Sequence, residues 1–235
     1  MPLFYTAMGA LTFAERFHRN FVEADRWRLM LGGLGVTLQV SCMAVILGIA
    51  LGVLLAFMRL STFKPFSSIA GAYIDIIRGT PVVVQLMIFY FVLLGPIKWL
   101  DKSVIAAIAF GCNSAAYVAE IVRAGILSID HGQREAGMSL GLPPAMTMRY
   151  IVLPQAVKNI LPALGNELIM LIKETSILGY IGVVDLARTG EQIRARTLDA
   201  FMPLIAVAIV YYILVKLLSF LLQRLERRLR QSDQR

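Results

Sequence analysis

The feature that most constrains the fold is an uninterrupted run of 24 uncharged residues, Leu34–Phe57. A helix of that length rises about 36 Å, enough to cross the ~30 Å apolar core of a bilayer. Apolar residues make up 58% of the chain and charged residues only 16%, a balance that a soluble domain of this size could not bury. The sequence therefore predicts an all-α integral membrane protein.

Four further apolar blocks predict four more membrane-spanning helices, for a total of five. The blocks are Val82–Ile97, Ser103–Ile126, Ile160–Ile181 and Ala200–Gln223. An amphipathic helix at the membrane interface is expected just before the first of these blocks. A break at residues 79–81 separates the two, because Pro81 interrupts a helix. The expected organisation is an N-terminal segment (1–28), a five-span domain (29–223) with a loop at 127–159, and a basic tail (224–235).

The arginines of the tail set the expected orientation. They follow the last apolar block directly, at positions 224, 227, 228 and 230, and positively charged segments beside a span stay on the cytoplasmic side. This placement accounts for the net charge of +8 better than binding to nucleic acid does. With five spans, we expect the C-terminus inside the cell and the N-terminus outside.

The loop at 127–159 has the start and stop signals of two short helices. Asp130 and Gln133 form a capping-box pattern that predicts a helix start, and Gly141 suits a left-handed helix end. Pro143 and Pro144 then open a second helix, because a proline in the first turn loses no hydrogen bond. We therefore predict a helix–turn–helix displayed on the cytoplasmic side.

The same loop carries a spaced pattern that resembles the EAA motif of ABC importer permeases. It reads Glu135-Ala136-Gly137, three residues, Gly141, nine residues, and Ile-Val-Leu-Pro at 151–154, with Gly137 in place of alanine as the one departure. Further stretches resemble the polar amino acid branch of that family: Arg-Gly-Thr-Pro at 78–81, Asn-Ser-Ala-Ala-Tyr at 113–117 with Glu120, Leu-Pro-Ala-Leu-Gly-Asn at 161–166, and Lys-Glu-Thr-Ser at 173–176. The similarity covers roughly residues 27–228.

This resemblance implies a MetI-like fold in a bacterial cytoplasmic (inner) membrane and a role in transport. The loop would be a coupling helix that docks on a cytoplasmic ATPase through Glu135, Ala136, Gly137, Gly141 and Pro154. The implied partners are two ABC ATPase subunits carrying ATP and Mg, a second permease copy or a sister permease, an extracytoplasmic solute-binding protein, an amino acid substrate and membrane lipid. The chain has no G-x-x-x-x-G-K-[ST] phosphate loop, so we expect no enzyme activity and no cofactor of its own.

Ionisable groups within the apolar blocks are candidates for a substrate path, because such groups are costly in a bilayer. Asn113, Tyr117 and Glu120 share one helix face. Glu120 and Glu167 lie at a similar depth from the inner end, where two carboxylates could attract an ammonium or cationic group. A structural alternative stays open for each: Glu120 could pair with Arg123, and Glu167 could hydrogen-bond within the bundle.

The resemblance also places Glu174, Thr175 and Ser176 at the core of the path. Lys173 and Glu174 could equally form a buried ion pair that fixes helix packing. Arg78 could anchor at an interface or pair with Asp75.

Other functions stay open at this point. His18 and His131 are isolated in the sequence, so no metal site is predicted. A permease of the same fold for another solute, such as methionine or phosphonate, is one alternative. An ion-coupled secondary transporter is the other, although such a protein would not need the coupling loop.

Overall fold

The computed structural model describes residues 12–231, so the first eleven residues of the predicted N-terminal segment and the last four of the predicted tail lie outside the described residues. Every regular element within that range is helical, which confirms the all-α class. The α-helices are α1 (Phe13–Phe17), α2 (Arg26–Leu60), α3 (Lys64–Arg78), α4 (Val82–Met87), α5 (Lys102–Leu127), α6 (His131–Ser139), α7 (Pro144–Thr147), α8 (Leu153–Glu174), α9 (Leu186–Thr197) and α10 (Phe201–Gln231). They are extended by π-helical turns at His18–Val22, Ile88–Leu93 and Met148–Val152, and by 3-10 turns at Glu23–Asp25 and Thr175–Ile181.

Three of the described helical stretches are long and apolar enough to cross a membrane: Phe13–Leu60, which contains α2, then α5, and Phe201–Arg228. The helix Val82–Leu93 ends four residues short of the predicted block and qualifies as a fourth only together with α3. Residues 160–181 are helical, but they carry three charged side chains and do not qualify by composition. The five-span arrangement therefore stays a prediction.

Helices α2 and α5 lie in direct contact, because glycines leave no side chain between them. A Cβ atom on Gly52 would lie 2.5 Å from Cβ of Val118, and a Cβ atom on Gly48 would lie 2.8 Å from Oγ of Ser114. Small residues four positions apart are typical of helices that approach closely within a membrane. The α2–α5 pair therefore forms the centre of the bundle, against which the other helices pack.

The predicted break at residues 79–81 is a sharp bend whose backbone is bonded by a side chain. The chain changes direction by 104° between α3 and the helix Val82–Leu93, which begins with α4. Nε2 of Gln85 donates to the carbonyl oxygens of Ile77 (2.7 Å) and Thr80 (3.1 Å), and Oε1 of Gln85 accepts from Nδ2 of Asn113 on α5 (2.9 Å). A bend leaves backbone carbonyl groups without their helical hydrogen bonds, and lipid cannot replace those bonds. The hydrogen bonds from Gln85 therefore stabilise the bend inside the bundle.

Helix α9 is fixed to α2 and α10 through a buried polar junction. Asp185, which has no exposed surface, caps the first turn of α9. The backbone N of Leu186 donates to Oγ1 of Thr37 on α2 (3.2 Å), and the hydroxyl of Tyr211 on α10 donates to Oδ2 of Asp185 (3.4 Å). The three helices are therefore linked at the end of the bundle that follows α8.

Residues 12–22, the described start of the N-terminal segment for which the sequence predicts no role, fold onto this same end. Arg16 makes a two-point ion pair with Asp199, at 2.7 Å from Nη2 and 3.0 Å from Nε. Nδ2 of the fully buried Asn20 donates to Asp199 (3.0 Å), and Oδ1 of Asn20 accepts from Oγ1 of Thr197 (2.7 Å). Burial alone would raise the pKa of Asp199, but the hydrogen bonds from Arg16 and Asn20 outweigh it and hold that pKa below its usual range.

Candidate functional site

The loop that resembles a coupling helix forms two short helices, as predicted. Oδ1 of Asp130 accepts a backbone hydrogen bond in the first turn of α6 (2.7 Å). Gly141 has a φ of +82°, a left-handed conformation that favours glycine, and α7 begins at Pro144. A full capping box also needs a hydrogen bond from the backbone N–H of Asp130 to the side chain of Gln133, and this part of the prediction is wrong. The side-chain oxygen of Gln133 instead accepts a hydrogen bond from Nε2 of Gln155.

Helix α6 lies directly against the helix that follows it. A Cβ atom on Gly137 would lie 2.7 Å from Cδ1 of Ile151 and 2.8 Å from Cγ2 of Thr147. The glycine that departs from the motif therefore allows this close packing. From Pro144 the chain stays helical through a π-helical turn to Glu174, so α6 is attached to the end of one long rod.

Most of the predicted contact residues lie on the surface of this loop. The exposed ones are Glu135, Ala136, Gly141 and Pro154. Gly137 instead is buried and faces its own chain. Oε1 of Glu135 lies 3.0 Å from Nδ1 of His131 one turn earlier on the same exposed face, so a negative group is presented to whatever docks here.

An apolar surface on the same loop was not predicted. Leu140, just after α6, is 83% exposed, and three further apolar side chains of the loop are exposed as well: Met138, Met146 and Tyr150. A cavity of about 280 Å³ lies next to the start of α6, between Asp130, His131, Arg134 and Val152. The sequence did contain a signal for this surface, because Met138 and Leu140 interrupt an otherwise polar stretch.

A buried carboxylate lies where three helices meet. Glu167 on α8 is only 7% exposed, and its Oε1 accepts from Oγ of Ser114 on α5 (2.8 Å), beside Gly48 of α2. Glu174 follows two turns later on the same face of α8, about 10 Å along the helix axis. Glu120 lies elsewhere, because six residues separate it from Ser114, about 9 Å along the helix.

The face of α5 that carries Asn113 and Tyr117 is covered by the bent α3–α4 pair. Asn113 binds the side chain of Gln85 at the bend. The guanidinium of Arg78 lies 5.5 Å from the centroid of the Tyr117 ring, an arrangement typical of a cation–π contact. The proposed salt bridge between Arg78 and Asp75 is not formed, so Arg78 is held by α5 instead.

The structural alternative for Glu120 is confirmed. Its two carboxylate oxygens accept from Nε and Nη2 of Arg123, at 3.0 Å and 2.8 Å. The alternative for Lys173 and Glu174 is wrong, because these two side chains make no salt bridge and Lys173 is exposed. Within residues 12–231, no group of three His, Cys, Asp or Glu side chains is placed to hold a metal ion.

A second cavity, of about 310 Å³, opens between the end of α8 and α9. Ser176 lines it, whereas the neighbouring Thr175 is buried and donates to the carbonyl oxygen of Ile172 (2.7 Å). Arg188 and Glu191 of α9 line the opposite side and form an ion pair at 2.6 Å. Neither was predicted, because only the fold brings α9 next to Ser176.

Comparison with known proteins gives relatives that match nearly the whole chain. The arginine transport system permease protein ArtQ of Bacillus subtilis (strain 168) is 45% identical over 205 residues, which cover 87% of this chain and 94% of that protein. The glutamine transport system permease protein GlnP of Escherichia coli (strain K12) is 41% identical over 206 residues, 86% of this chain and 93% of that protein.

Solved structures agree in fold. One described as an amino acid ABC transporter with histidines is 42% identical and has a TM-score of 0.82, with 88% of this chain and 97% of that chain covered. A chain of the MetNI methionine ABC transporter has a TM-score of 0.72 at 23% identity, covers 86% of this chain and 97% of its own, and shows the fold alone.

One protein family matches most of the chain. The family described as "Binding-protein-dependent transport system inner membrane component" matches residues 48–231, a range that includes the α6–α7 loop, the Glu167 carboxylate and α9. The chain therefore belongs to the family of inner membrane components of binding-protein-dependent transport systems.

Proposed function

We propose that the chain is the permease subunit of an ATP-driven importer of polar amino acids. Relatives named for arginine and glutamine transport, at 45% and 41% identity, support this substrate class. The observation that carries the proposal is the continuous helical rod from Pro144 to Glu174, which connects the exposed α6–α7 loop to carboxylates inside the bundle. One end of the rod meets an ATPase and the other end lies beside the solute.

Coupling to the ATPase follows from the stiffness of this rod. The packing of Gly137 on Thr147 and Ile151 ties α6 to it, so a force on α6 moves α8. The contact set on the ATPase side consists of Glu135, Ala136, Gly141 and Pro154, with Leu140 as an added apolar anchor. Gly137 lies beneath this surface and does not contact the ATPase; its close packing on Thr147 and Ile151 holds α6 in place.

Solute movement uses the carboxylates of α8. Glu167 and Glu174 lie on one face of that helix, and both can attract the ammonium group of an amino acid or a cationic side chain. The path continues past Ser176 to the cavity beside Arg188 and Glu191. Asn113, Tyr117 and Thr175 line or support the path, whereas Glu120 is neutralised by Arg123 and fixes the inner end of α5.

Membership of the family supports an assembly of this chain with further subunits. Two ATPase subunits hold ATP and Mg²⁺ below the membrane, and a second permease copy or a sister permease completes the path. An extracytoplasmic solute-binding protein delivers the amino acid to the α9 end. In this proposal α8 with its 3-10 extension is the fourth of five spans, so the termini lie on opposite sides of the membrane, and the arginines that follow the last span support a cytoplasmic C-terminus.

The experiment is ATP hydrolysis by the co-purified complex in liposomes, with the binding protein and arginine, glutamine, histidine or glutamate in turn. Wild type is compared with Leu140→Ser, whose side chain is 83% exposed, and with the control Leu225→Ser, which is 43% exposed on α10. We expect one solute class to stimulate hydrolysis, Leu140→Ser to reduce that stimulation at least several-fold, and Leu225→Ser to leave it unchanged.

Two results would contradict the proposal. If no ATPase co-purifies, the chain is not an importer subunit of this kind. If stimulation by an amino acid survives in Leu140→Ser and in Gly141→Asp, the coupling assignment of the α6–α7 loop is wrong even though the substrate class stands.

A further inference from the structure

The N-terminal segment lies outside the residues that the family match covers, 48–231. Residues 12–22 of this segment are nevertheless fixed to the rest of the protein: the Arg16–Asp199 ion pair and the buried Asn20 hold α1 and the π-helical turn that follows it. A segment held this firmly presents a defined surface, so the direction of its exposed side chains can be argued.

One face of the segment is aromatic, and it changes from buried to exposed along its length. Phe21 is 7% exposed and packs in the core with Met30 and Met202. Phe17, whose ring centroid lies 5.2 Å from that of Phe21, is 49% exposed, and Phe13 one turn earlier is 72% exposed. The apolar face thus begins inside the protein and continues beyond its edge.

The surface beyond that edge is the apolar flank of α10. The guanidinium of Arg16 lies 5.9 Å from the centroid of the Phe201 ring at the start of α10, and Phe201 is 60% exposed. Only 6% of the most apolar stretch of α10 is buried within the chain. A helix this apolar and this exposed meets lipid, and the contacts of Arg16 with Asp199 and Phe201 place α1 beside the first turn of α10.

We propose that Phe13 and Phe17 insert into the interfacial layer of the bilayer beside the start of α10, so that residues 12–22 anchor this end of the protein to lipid. Aromatic side chains on one face and polar ones on the other are typical of segments that lie in the membrane interface. Ala14 and His18 are exposed as well, and each lies about 100° around the helix from the phenylalanine that precedes it, so the proposal places these two side chains on the water side of the segment.

Tryptophan fluorescence in the complete transporter tests this, in nanodiscs made with and without brominated phosphatidylcholine. The background carries Trp27→Phe and Trp99→Phe, and the test variants are Phe13→Trp and Phe17→Trp, with His18→Trp as the matched control. We expect brominated lipid to quench the emission from positions 13 and 17 at least twofold more than that from position 18. Acrylamide in the water should quench position 18 more strongly.

Equal quenching by both agents at all three positions would overturn the anchor and place the segment in water. Protection of positions 13 and 17 from both agents would also overturn it, because a second protein chain would then cover the aromatic face. If a tryptophan variant fails to assemble, nitroxides on Phe13→Cys and Ala14→Cys, with Cys42 and Cys112 replaced by alanine, report the same contrast through collisions with oxygen and with a water-soluble nickel complex. Neither measurement depends on solute or ATP.

Discussion

The hydrogen bond between Ser114 and Glu167 allows a test of whether the buried carboxylate serves the fold or the solute. Ser114→Ala removes the donor and keeps the charge. Glu167→Gln keeps an acceptor for the serine and removes the charge. The two variants therefore separate the two roles at one contact of 2.8 Å.

The magnitudes differ for the two roles. A buried hydrogen bond to a charged group contributes about 1.5–3 kcal/mol, so Ser114→Ala should lower the melting temperature by roughly 5 °C for a chain of this size. An ammonium group 4 Å from a carboxylate is attracted by about 4 kcal/mol at an effective dielectric constant of 20. Glu167→Gln removes the charge, and the loss of even a third of that attraction raises the KM for transport about tenfold, so we expect an increase of at least about tenfold.

The assay is uptake of radiolabelled amino acid into proteoliposomes, together with thermal unfolding of the purified complex. We expect Glu167→Gln to raise KM while the melting temperature changes little, and Ser114→Ala to do the reverse. If Glu167→Gln leaves KM unchanged and both variants lower only the melting temperature, Glu167 is a packing residue and has no part in the solute path.

Three further outcomes are expected. Gln85→Leu removes the side-chain donor to the carbonyl oxygens of Ile77 and Thr80 at the α3–α4 bend and should destabilise the complex by about 1–3 kcal/mol in thermal unfolding; an unchanged melting temperature would show that the bend does not need this donor. Gly52→Ala should cost about 1–3 kcal/mol, because its Cβ would lie 2.5 Å from that of Val118, whereas Gly32→Ala, with nothing within 4 Å, should be neutral or slightly stabilising. The folded-state pKa of Asp199 is lowered, so its stabilising effect is present at neutral pH and is lost as pH falls through that pKa. Arg16→Ala removes the main cause of the lowered pKa, so the variant should melt at a lower temperature at neutral pH and lose less stability on acidification than wild type; melting curves that fall in parallel with those of wild type would contradict this.

Local rules predicted the parts of the structure that depend on neighbouring residues. The ends of α6 and α7 follow from Asp130, Gly141 and Pro144, and the Glu120–Arg123 pair spans a single helical turn. Hydropathy predicted the membrane class because a long uncharged run has few other stable environments.

Contacts between distant residues were beyond such rules. Gln85 and Asn113 are 28 residues apart, Ser114 and Glu167 are 53 apart, and the pair that holds the N-terminal segment is 183 apart. The capping-box prediction failed for the same reason. Local sequence pairs the side chain of Gln133 with the helix start, but in the structure that side chain bonds to Gln155. The hydrogen-bond partners of polar side chains within a bundle depend on how the helices pack, and this packing cannot be read from a single sequence.

The polarity of α8 bears on how the protein is made. Residues 160–181 are not apolar enough to qualify as a span alone, and each charged side chain at the centre of a helix costs about 2.5–3.5 kcal/mol on entry into the bilayer. In the proposed arrangement α5 is synthesised first and carries Ser114, the partner that the Glu167 carboxylate requires. Helix α8 would therefore insert together with α5. A newly made chain that fails to form this contact would leave the Glu167 carboxylate exposed to lipid. Such chains would become targets for membrane proteases.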